Sequence, residues 1–98
     1  MDHRLLLEAI ATKKCVLASY NHSRIKFAPH ILYKRHDDLF LDAVAVERDG
    51  QSPREVKIGS YKLAGLNQLR LTNEPFQPES RFNLDEPRYE GQTVFAVE

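Results

Sequence analysis

Apolar positions near the N-terminus recur at the spacing of a helix. This spacing predicts a helix over residues 3–13, with Asp2 as its N-cap and Lys13 near its negative dipole end. The predicted buried stripe consists of Leu5, Leu6, Ala9 and Ile10. We therefore expect one short amphipathic helix that packs against the strands following it.

From residue 15 onward, apolar and polar side chains alternate at the spacing of strands. The predicted strands cover residues 15–20, 24–33, 39–46, 54–58 and 66–72. Pro29 interrupts the second strand and has no amide hydrogen for a ladder, so it indicates a sheet edge, a bulge or a bend. Beyond Pro29 the alternation resumes, and we expect Ile31 and Tyr33 on the same face as Ile25 and Phe27.

Polar and glycine-containing segments separate these strands. Residues 34–38 are typical of a hairpin loop, and residues 47–53 of a second loop. Gly59 and Gly65 bound a segment that we predict to be a tight, one-turn connection. One helix followed by about five short antiparallel strands predicts a mainly β fold, a small and partly closed barrel, because closure removes exposed strand edges.

The composition is typical of a soluble globular domain. The chain has 98 residues, of which 42% are hydrophobic and 29% charged, which allows one domain and excludes a collagenous or wholly disordered chain. Its apolar runs are far shorter than the roughly 20 residues that span a bilayer, and no signal-peptide core is present. One cysteine, Cys15, cannot form an internal disulfide. We expect a cytoplasmic protein without membrane contact.

Charge is balanced overall but divided along the chain. Residues 1–73 carry 12 basic and 8 acidic side chains, whereas residues 74–98 carry two basic and six acidic ones. We predict a basic domain of helix and barrel over 1–73 and an acidic tail containing prolines over 74–98. Such a tail either wraps around the barrel or is partly mobile. Within it, residues 93–97 are a strand candidate for an open sheet edge, in the same chain or in a second copy.

Basic and aromatic residues lie along the predicted strands in a pattern that suits an anion. Arg24, Lys26 and His30 share one side of the second strand. Arginine and lysine neutralise phosphate, and aromatic rings stack on bases. The predicted ligand-binding residues are Tyr20, Arg24, Lys26, His30, Phe40, Arg54, Lys57 and Tyr61. The alternative is that these cations belong to the ordinary solvated face of a barrel.

Other chemistries receive little support from the residue pattern. The four histidines and Cys15 lack the close spacing of a zinc site, so we predict no metal. Cys15 stands beside apolar residues, where a thiol is usually an inert core residue. Asp37 and Asp38 fall in a turn, where carboxylates are usually solvated. We therefore expect neither an enzyme nor a cofactor.

In their order along the chain, these features resemble a WYL domain over about residues 5–72. The matching segments are 8–10 for the family's Ala-Ile helix, 16–20 for a strand that ends in tyrosine, 24–32 for a basic strand with a Pro-His bend, 39–41 for the eponymous Trp-Tyr-Leu triplet, and 54–58 for an arginine-led strand. The triplet is Leu-Phe-Leu in this chain, which keeps only the leucine. The stretch over 56–61 lacks the usual Asp-Arg pair.

The resemblance implies an SH3-like or Sm-like barrel of about five antiparallel strands behind one α-helix. It also implies a ligand-sensing module, usually found in bacterial transcription regulators and phage-defence proteins, whose pocket takes nucleic acid or a nucleotide-derived signal. The pocket candidates carried over by position are Tyr20, Arg24 or Lys26, His30, Phe40 and Arg54. The helix-turn-helix module that usually precedes the domain is not evident in these residues, so we do not expect the chain to read duplex sequence itself.

Two functions remain open at this point. The first is a regulatory module that senses an anionic small molecule, a nucleotide or single-stranded nucleic acid. The second is a protein–protein interaction or oligomerisation module with no small ligand, in which the C-terminal strand joins copies of the chain into a homo-oligomer.

Overall fold

The N-terminal amphipathic segment forms a helix, α1, over Arg4–Thr12 in the computed structural model, which describes residues 3–98. Its buried side chains are Leu6, Ala9 and Ile10. The helix ends at Lys13, whose left-handed backbone lets its amide donate back to the last turn. The predicted helix is confirmed to within one residue at each end, whereas its expected N-cap, Asp2, lies outside the described residues. No helix within residues 3–98 has the length and apolar character needed to cross a lipid bilayer.

Six strands of the described chain form one antiparallel sheet. They are β1 (Lys14–Tyr20), β2 (Ser23–Arg35), β3 (Asp38–Arg48), β4 (Ile58–Lys62), β5 (Asn67–Pro75) and β6 (Thr93–Ala96). Neighbouring strands follow the order β4-β3-β2-β1-β5, and β6 pairs with the second half of β2. Short 3-10 helices occupy Leu63–Gly65 and Pro87–Tyr89. The mainly β fold with one N-terminal helix is confirmed, and so is the strand near the C-terminus.

Two-residue turns connect β1 to β2 and β2 to β3. Asn21 and His22 form the first turn, His36 and Asp37 the second, and all four have positive φ angles between 48° and 67°. This backbone is typical of type I′ turns, which match the twist of the flanking strands. Strands β2 and β3 therefore extend further than predicted, and the expected hairpin loop over 34–38 shrinks to two residues.

The predicted strand over residues 54–58 is wrong. Residues 52–57 form an exposed loop, and the strand begins only at Ile58. Val56, the apolar residue at the centre of the alternating pattern, is 48% exposed, so neither face of this stretch is covered. Pro53 precedes it and cannot donate to a ladder. Arg54 and Lys57 consequently lie on a loop rather than on two faces of a strand.

The one-turn connection expected between Gly59 and Gly65 is also wrong. Strand β4 runs through Gly59, and only residues 63–65 form a single 3-10 turn. This turn leads directly into β5, which begins within one residue of the prediction and extends three residues further.

A bulge in β2 overturns the expected faces of its second half. Next to the proline, His30 is an additional residue that has no counterpart on β3. An extra residue shifts the alternation by one position. Ile25 and Phe27 therefore face one core cluster, whereas Ile31 and Tyr33 face a second cluster on the other side of the sheet.

Apolar clusters cover both faces of the sheet. Helix α1 packs over the larger cluster on the first face. The second face carries two smaller clusters, formed by Cys15, Ala28 and Val44 and by Ile31, Tyr33 and Tyr89. Residues 76–92, here termed the C-terminal segment, contribute Phe76, Phe82 and Tyr89 to this second face. The C-terminal segment therefore packs as a layer of the fold.

The sheet is strongly curled. Tyr20 on β1 and Tyr61 on β4 have ring centroids 5.2 Å apart, although β2 and β3 lie between these strands. In a flat sheet, three strand spacings would separate the two strands by about 14 Å. Strands β4 and β5 end the strand path and are not paired with each other within residues 3–98.

Candidate functional site

A cleft of about 170 Å³ opens between the end of β3, the loop over 52–57 and β4. Its lining includes two cationic side chains, Arg48 and Lys57, and the aromatic ring of Tyr61. Pro53, Glu55 and Gly59 lie beside them. Arg48 is the last residue of β3, Lys57 belongs to the loop, and Tyr61 belongs to β4. We refer to this hollow as the cleft and to residues 52–57 as the cleft loop.

Two larger hollows have net negative linings, whereas the lining of the cleft is net positive. A hollow of about 280 Å³ is lined by Asp37 and Asp38 together with Lys62. A second, of about 520 Å³, is lined by Asp85, Glu86 and Glu90. Because each of these linings contains more carboxylates than lysine or arginine side chains, neither suits an anionic ligand, and the smaller cleft is the better candidate.

The aromatic wall of the cleft is fixed by ring packing. Tyr61 meets Phe27 edge-on with centroids 4.6 Å apart and meets Tyr20 at 5.2 Å, and each such pair contributes about 0.5–1.5 kcal/mol beyond area burial. A Cβ atom on Gly59 would lie 3.0 Å from the Tyr61 hydroxyl, and one on Gly65 would lie 3.1 Å from the Tyr20 ring. The two glycines therefore make room for the two tyrosine rings.

Within the described residues, the cations around the cleft are not neutralised by ion pairs. Arg48, Arg54 and Lys57 form no salt bridge within residues 3–98. Burial raises the pKa of Tyr61, and the positive charge of Arg48 opposes that rise. Glu55 offsets one of the two cations that line the cleft, so the lining carries one net positive charge.

The structure places Arg24 and Lys26 away from the cleft, on the other face of β2. Lys26 Nζ lies 2.8 Å from a Glu74 carboxylate oxygen and 3.3 Å from one of Glu47. Hydrogen bonds to Glu74 and then Glu47 raise the pKa of Lys26 above its ordinary value, and its charge is already balanced. Arg24 is exposed and donates from Nη1 to Ser19 Oγ at 3.1 Å.

His30 is fully buried and serves as a structural link. Its Nδ1 lies 2.8 Å from the carbonyl oxygen of Ala28, which can only accept, so Nδ1 carries the proton. Its Nε2 accepts a hydrogen bond of 2.8 Å from the backbone amide of Glu79. Burial lowers the pKa of His30 below its ordinary value, which keeps the ring neutral. The side chain joins the bulge of β2 to the C-terminal segment and is closed to a ligand.

The remaining predicted residues divide between the cleft and the far end of β3. Phe40 lies near the start of β3, with the Arg35 guanidinium 5.7 Å from its ring centre, whereas the cleft lies at the other end of that strand. Arg54 is exposed on the cleft loop. Of the predicted set, Lys57 and Tyr61 line the cleft, Tyr20 supports Tyr61, Arg54 lies beside it, and Arg24, Lys26, His30 and Phe40 lie elsewhere.

Arg48 is a cleft residue that the sequence interpretation missed, because we assigned residues 47–53 to a loop. The signal was present in Asp49-Gly50, which has positive φ angles of 50° and 83°. Such a pair forms a tight turn and so marks the preceding Arg48 as the end of a strand.

Asp42 was also missed, and it anchors the C-terminal segment. This carboxylate is fully buried in the middle of β3, accepting hydrogen bonds from the hydroxyls of Tyr33 at 2.8 Å and Tyr89 at 2.5 Å. The guanidinium of Arg88 lies 3.4 Å away. Burial and the bond to Asp42 raise the pKa of Tyr89, so it remains a donor at neutral pH. A lone carboxylate within the apolar run 39–46 was the signal for such a cluster.

The geometry of the described residues also bears on metal binding and on the reactivity of Cys15. No group of three or more His, Cys, Asp or Glu side chains among the described residues is placed to hold a metal ion. Cys15 is buried, and burial raises the pKa of its thiol to about 11. Because the thiolate is the reactive form, this thiol is a poor nucleophile at neutral pH.

Comparison with known proteins gave no significant match to any protein-family model, curated protein or solved structure. In the cleft, Arg48 and Lys57, which form no ion pair within residues 3–98, meet the ring of Tyr61 in one concavity.

Proposed function

We propose that this protein is a regulatory module that binds an anionic ligand, a nucleotide or single-stranded nucleic acid, in the cleft. The supporting observation is that Arg48 and Lys57, both without a carboxylate partner in the described chain, line the same hollow as Tyr61. A guanidinium binds phosphate through two parallel hydrogen bonds and an ammonium binds it as a point charge. The tyrosine offers an aromatic surface or a hydroxyl to the group attached to that phosphate.

The size of the cleft limits what it holds. A volume of about 170 Å³ is below the roughly 300–1,000 Å³ of pockets that enclose a whole drug-sized ligand. The cleft therefore accepts a phosphate with part of its sugar or base, and the rest of the ligand follows the surface toward Arg54. A phosphate-driven interaction of this kind weakens as salt rises, because counterions compete.

The proposal includes the fold family. We infer a divergent, cytosolic WYL-like module with an SH3-like or Sm-like barrel. Support comes from the N-terminal helix, from the strand order β4-β3-β2-β1-β5, and from the curl that brings Tyr20 and Tyr61 into contact. The Pro29-His30 bend, part of the resemblance, coincides with the bulge of β2.

The test is a fluorescence titration with labelled single-stranded oligonucleotides and with cyclic nucleotides, at low and high salt. We expect R48A and K57A each to weaken binding by about tenfold, the loss of one charge-assisted contact, and affinity to fall as salt rises. The matched control is K34A, which removes one positive charge from an exposed position at the far end of β2. Absence of binding at low salt, or equal losses in K34A and R48A, would reject the cleft.

A specific observation favours a second candidate function, oligomerisation through β6. Val94 and Phe95 are 43% and 37% exposed, and within residues 3–98 this strand pairs along one edge only, with β2. An open edge that carries exposed apolar side chains is a template for a second strand. Under this proposal two copies of the chain pair through β6.

Mass in solution tests the second candidate. If β6 forms the contact, the full chain is a dimer and V94D is a monomer, because a buried unpaired carboxylate opposes association. V56D is the control, since Val56 is 48% exposed, close to the 43% of Val94, but lies on the cleft loop. A full chain that stays monomeric at high concentration excludes the oligomer.

A further inference from the structure

The cleft loop is held in place by the C-terminal segment. The loop contains no helix or strand, and all of its residues are exposed. The side chain of Arg81, from the C-terminal segment, donates a hydrogen bond from Nη2 to the backbone carbonyl of Val56. Val56 is the immediate neighbour of Lys57, so this bond fixes the backbone next to the cation that lines the cleft.

Arg81 is itself tied to the sheet. Its Nε donates to a Glu79 carboxylate oxygen at 3.0 Å, and this hydrogen bond lowers the pKa of Glu79. The amide of Glu79 in turn donates to Nε2 of the buried His30 at 2.8 Å. A continuous series of hydrogen bonds therefore runs from the bulge of β2 through Glu79 and Arg81 to the cleft loop.

The other side of Lys57 is fixed by apolar packing. Ile58, which follows Lys57 and begins β4, packs against the buried cluster of Cys15, Ala28 and Val44. Phe76, the first residue of the C-terminal segment, packs against the same cluster. Lys57 thus stands between Val56, whose carbonyl accepts the hydrogen bond from Arg81, and Ile58, which packs against the same cluster as Phe76.

We propose that Arg81 is a positioning residue for the anion site: it sets the conformation of the cleft loop and thereby directs Lys57 into the cleft. This inference rests on the proposed function, because it assigns Arg81 a role in the same site. Arg81 does not line the cleft, so its effect on an anion passes through the loop. The C-terminal segment is then a part of the binding machinery as well as a cover for the sheet.

The first test measures binding of a labelled single-stranded oligothymidylate by the full chain. We expect R81A to weaken binding by about three- to tenfold, the usual range for coupled neighbouring sites. R70A is the matched control, because Arg70 is an exposed arginine on β5 that does not line the cleft. Equal losses in R81A and R70A would show a general charge effect and overturn the proposal.

A double-mutant cycle separates positioning from charge. If Arg81 acts through Lys57, R81A has no further effect on binding in a K57A background. If R81A weakens binding by the same factor in both backgrounds, its action does not pass through Lys57 and the proposal is wrong. R81K retains the positive charge without the guanidinium geometry, so we expect it to bind the oligonucleotide nearly as weakly as R81A does.

Limited trypsin digestion tests the loop independently of any ligand. The cleft loop contains two trypsin sites, Arg54 and Lys57, and we expect cleavage there to be several-fold faster in R81A than in the wild type or R70A. Faster cleavage without oligonucleotide binding by the wild type would reject the proposed function and retain the loop contact. Binding that R81A leaves unchanged, with unchanged cleavage, would retain the function and reject the positioning role.

Discussion

At the residue scale, neighbouring carboxylates determine whether a lysine side chain is free to bind an anion. Lys26 and Lys57 are chemically identical, but Lys26 contacts Glu47 and Glu74, whereas Lys57 faces the cleft without an ion pair in the described chain. A lysine that already holds two carboxylates has to give up one of them before it binds a phosphate. Under the proposed function, Lys57 is therefore the better candidate of the two to contact an anion.

The buried carboxylate of Asp42 gives a prediction at this scale. D42N keeps the shape of the side chain but removes the charge that Tyr89, Tyr33 and Arg88 share. We expect the free energy of unfolding to fall by about 2–4 kcal/mol, the cost of breaking a buried, charge-assisted network. The measurement is the midpoint of urea denaturation.

D37N is the control for that experiment. Asp37 is exposed in a turn and has a φ of 67°, which asparagine tolerates well. We expect D37N to change the free energy of unfolding by less than about 0.5 kcal/mol. Similar midpoints for D42N and the wild type would show that the cluster contributes little to stability.

The sequence alone could not predict that Lys26 is paired with carboxylates, in contrast to Lys57 in the described chain. Glu74 lies 48 positions after Lys26, and the contact exists only because β5 pairs with β1 beside β2. Strand alternation did place Arg24 and Lys26 on one face, as observed. It could not tell which face would be lined by carboxylates, because that depends on the order of strands in the sheet.

At the element scale, the C-terminal segment is attached to the sheet at separate points. The amide of Glu79 binds His30, the hydroxyl of Tyr89 binds Asp42, and the side chain of Arg81 binds the cleft loop. Phe76 and Phe82 flank the ring of His30, with centroids 5.3 Å from it. The first attachment depends on a neutral imidazole, because a protonated Nε2 cannot accept the amide hydrogen.

Stability should therefore depend on pH through His30. Burial lowers the pKa of His30 in the folded state, while the unfolded chain titrates near 6.5. The stabilisation is complete above about pH 6.5 and is lost as the pH falls below it, because the unfolded state then binds the proton more readily. We expect the free energy of unfolding to decrease by up to about 1.4 kcal/mol per pH unit in this range.

The measurement is chemical denaturation at a series of pH values from 7.5 down to 5, in steps of about half a pH unit. H30Q removes the titrating group, so its unfolding free energy should depend less steeply on pH than that of the wild type. H22Q is the control, since His22 lies exposed in the first two-residue turn. If H30Q and the wild type show the same slope, another group is responsible for the pH dependence.

At the scale of the whole molecule, the fold has three layers: α1, the curled sheet and the C-terminal segment. Local patterns were enough to predict α1 and most strands, because alternation and turn residues act over a few positions. They left open whether residues 74–98 wrap around the barrel or are partly mobile, and they could not assign this segment to the second face of the sheet. Tyr89 and Val97 within it are buried.

Shortening the chain tests the third layer. A chain that ends after Pro75 lacks the C-terminal segment and β6, so the clusters around Val44 and Tyr33 lose their cover. We expect it to bind a hydrophobic dye such as ANS and to lose cooperative unfolding. Removal of Glu98 alone is the control and should leave unfolding unchanged. Cooperative unfolding of the shortened chain, with a denaturation midpoint near that of the full chain, would contradict this description.

The extra residue in β2 has a consequence for how this chain can change in length. Because side chains alternate with a period of two, deleting one residue at His30 would exchange the inward and outward positions of everything from Ile31 to the next turn. An insertion in the cleft loop would have no such effect, since the loop pairs with no strand over 52–57. The fold should therefore tolerate insertions and deletions between β3 and β4 and reject them between Phe27 and Ile31.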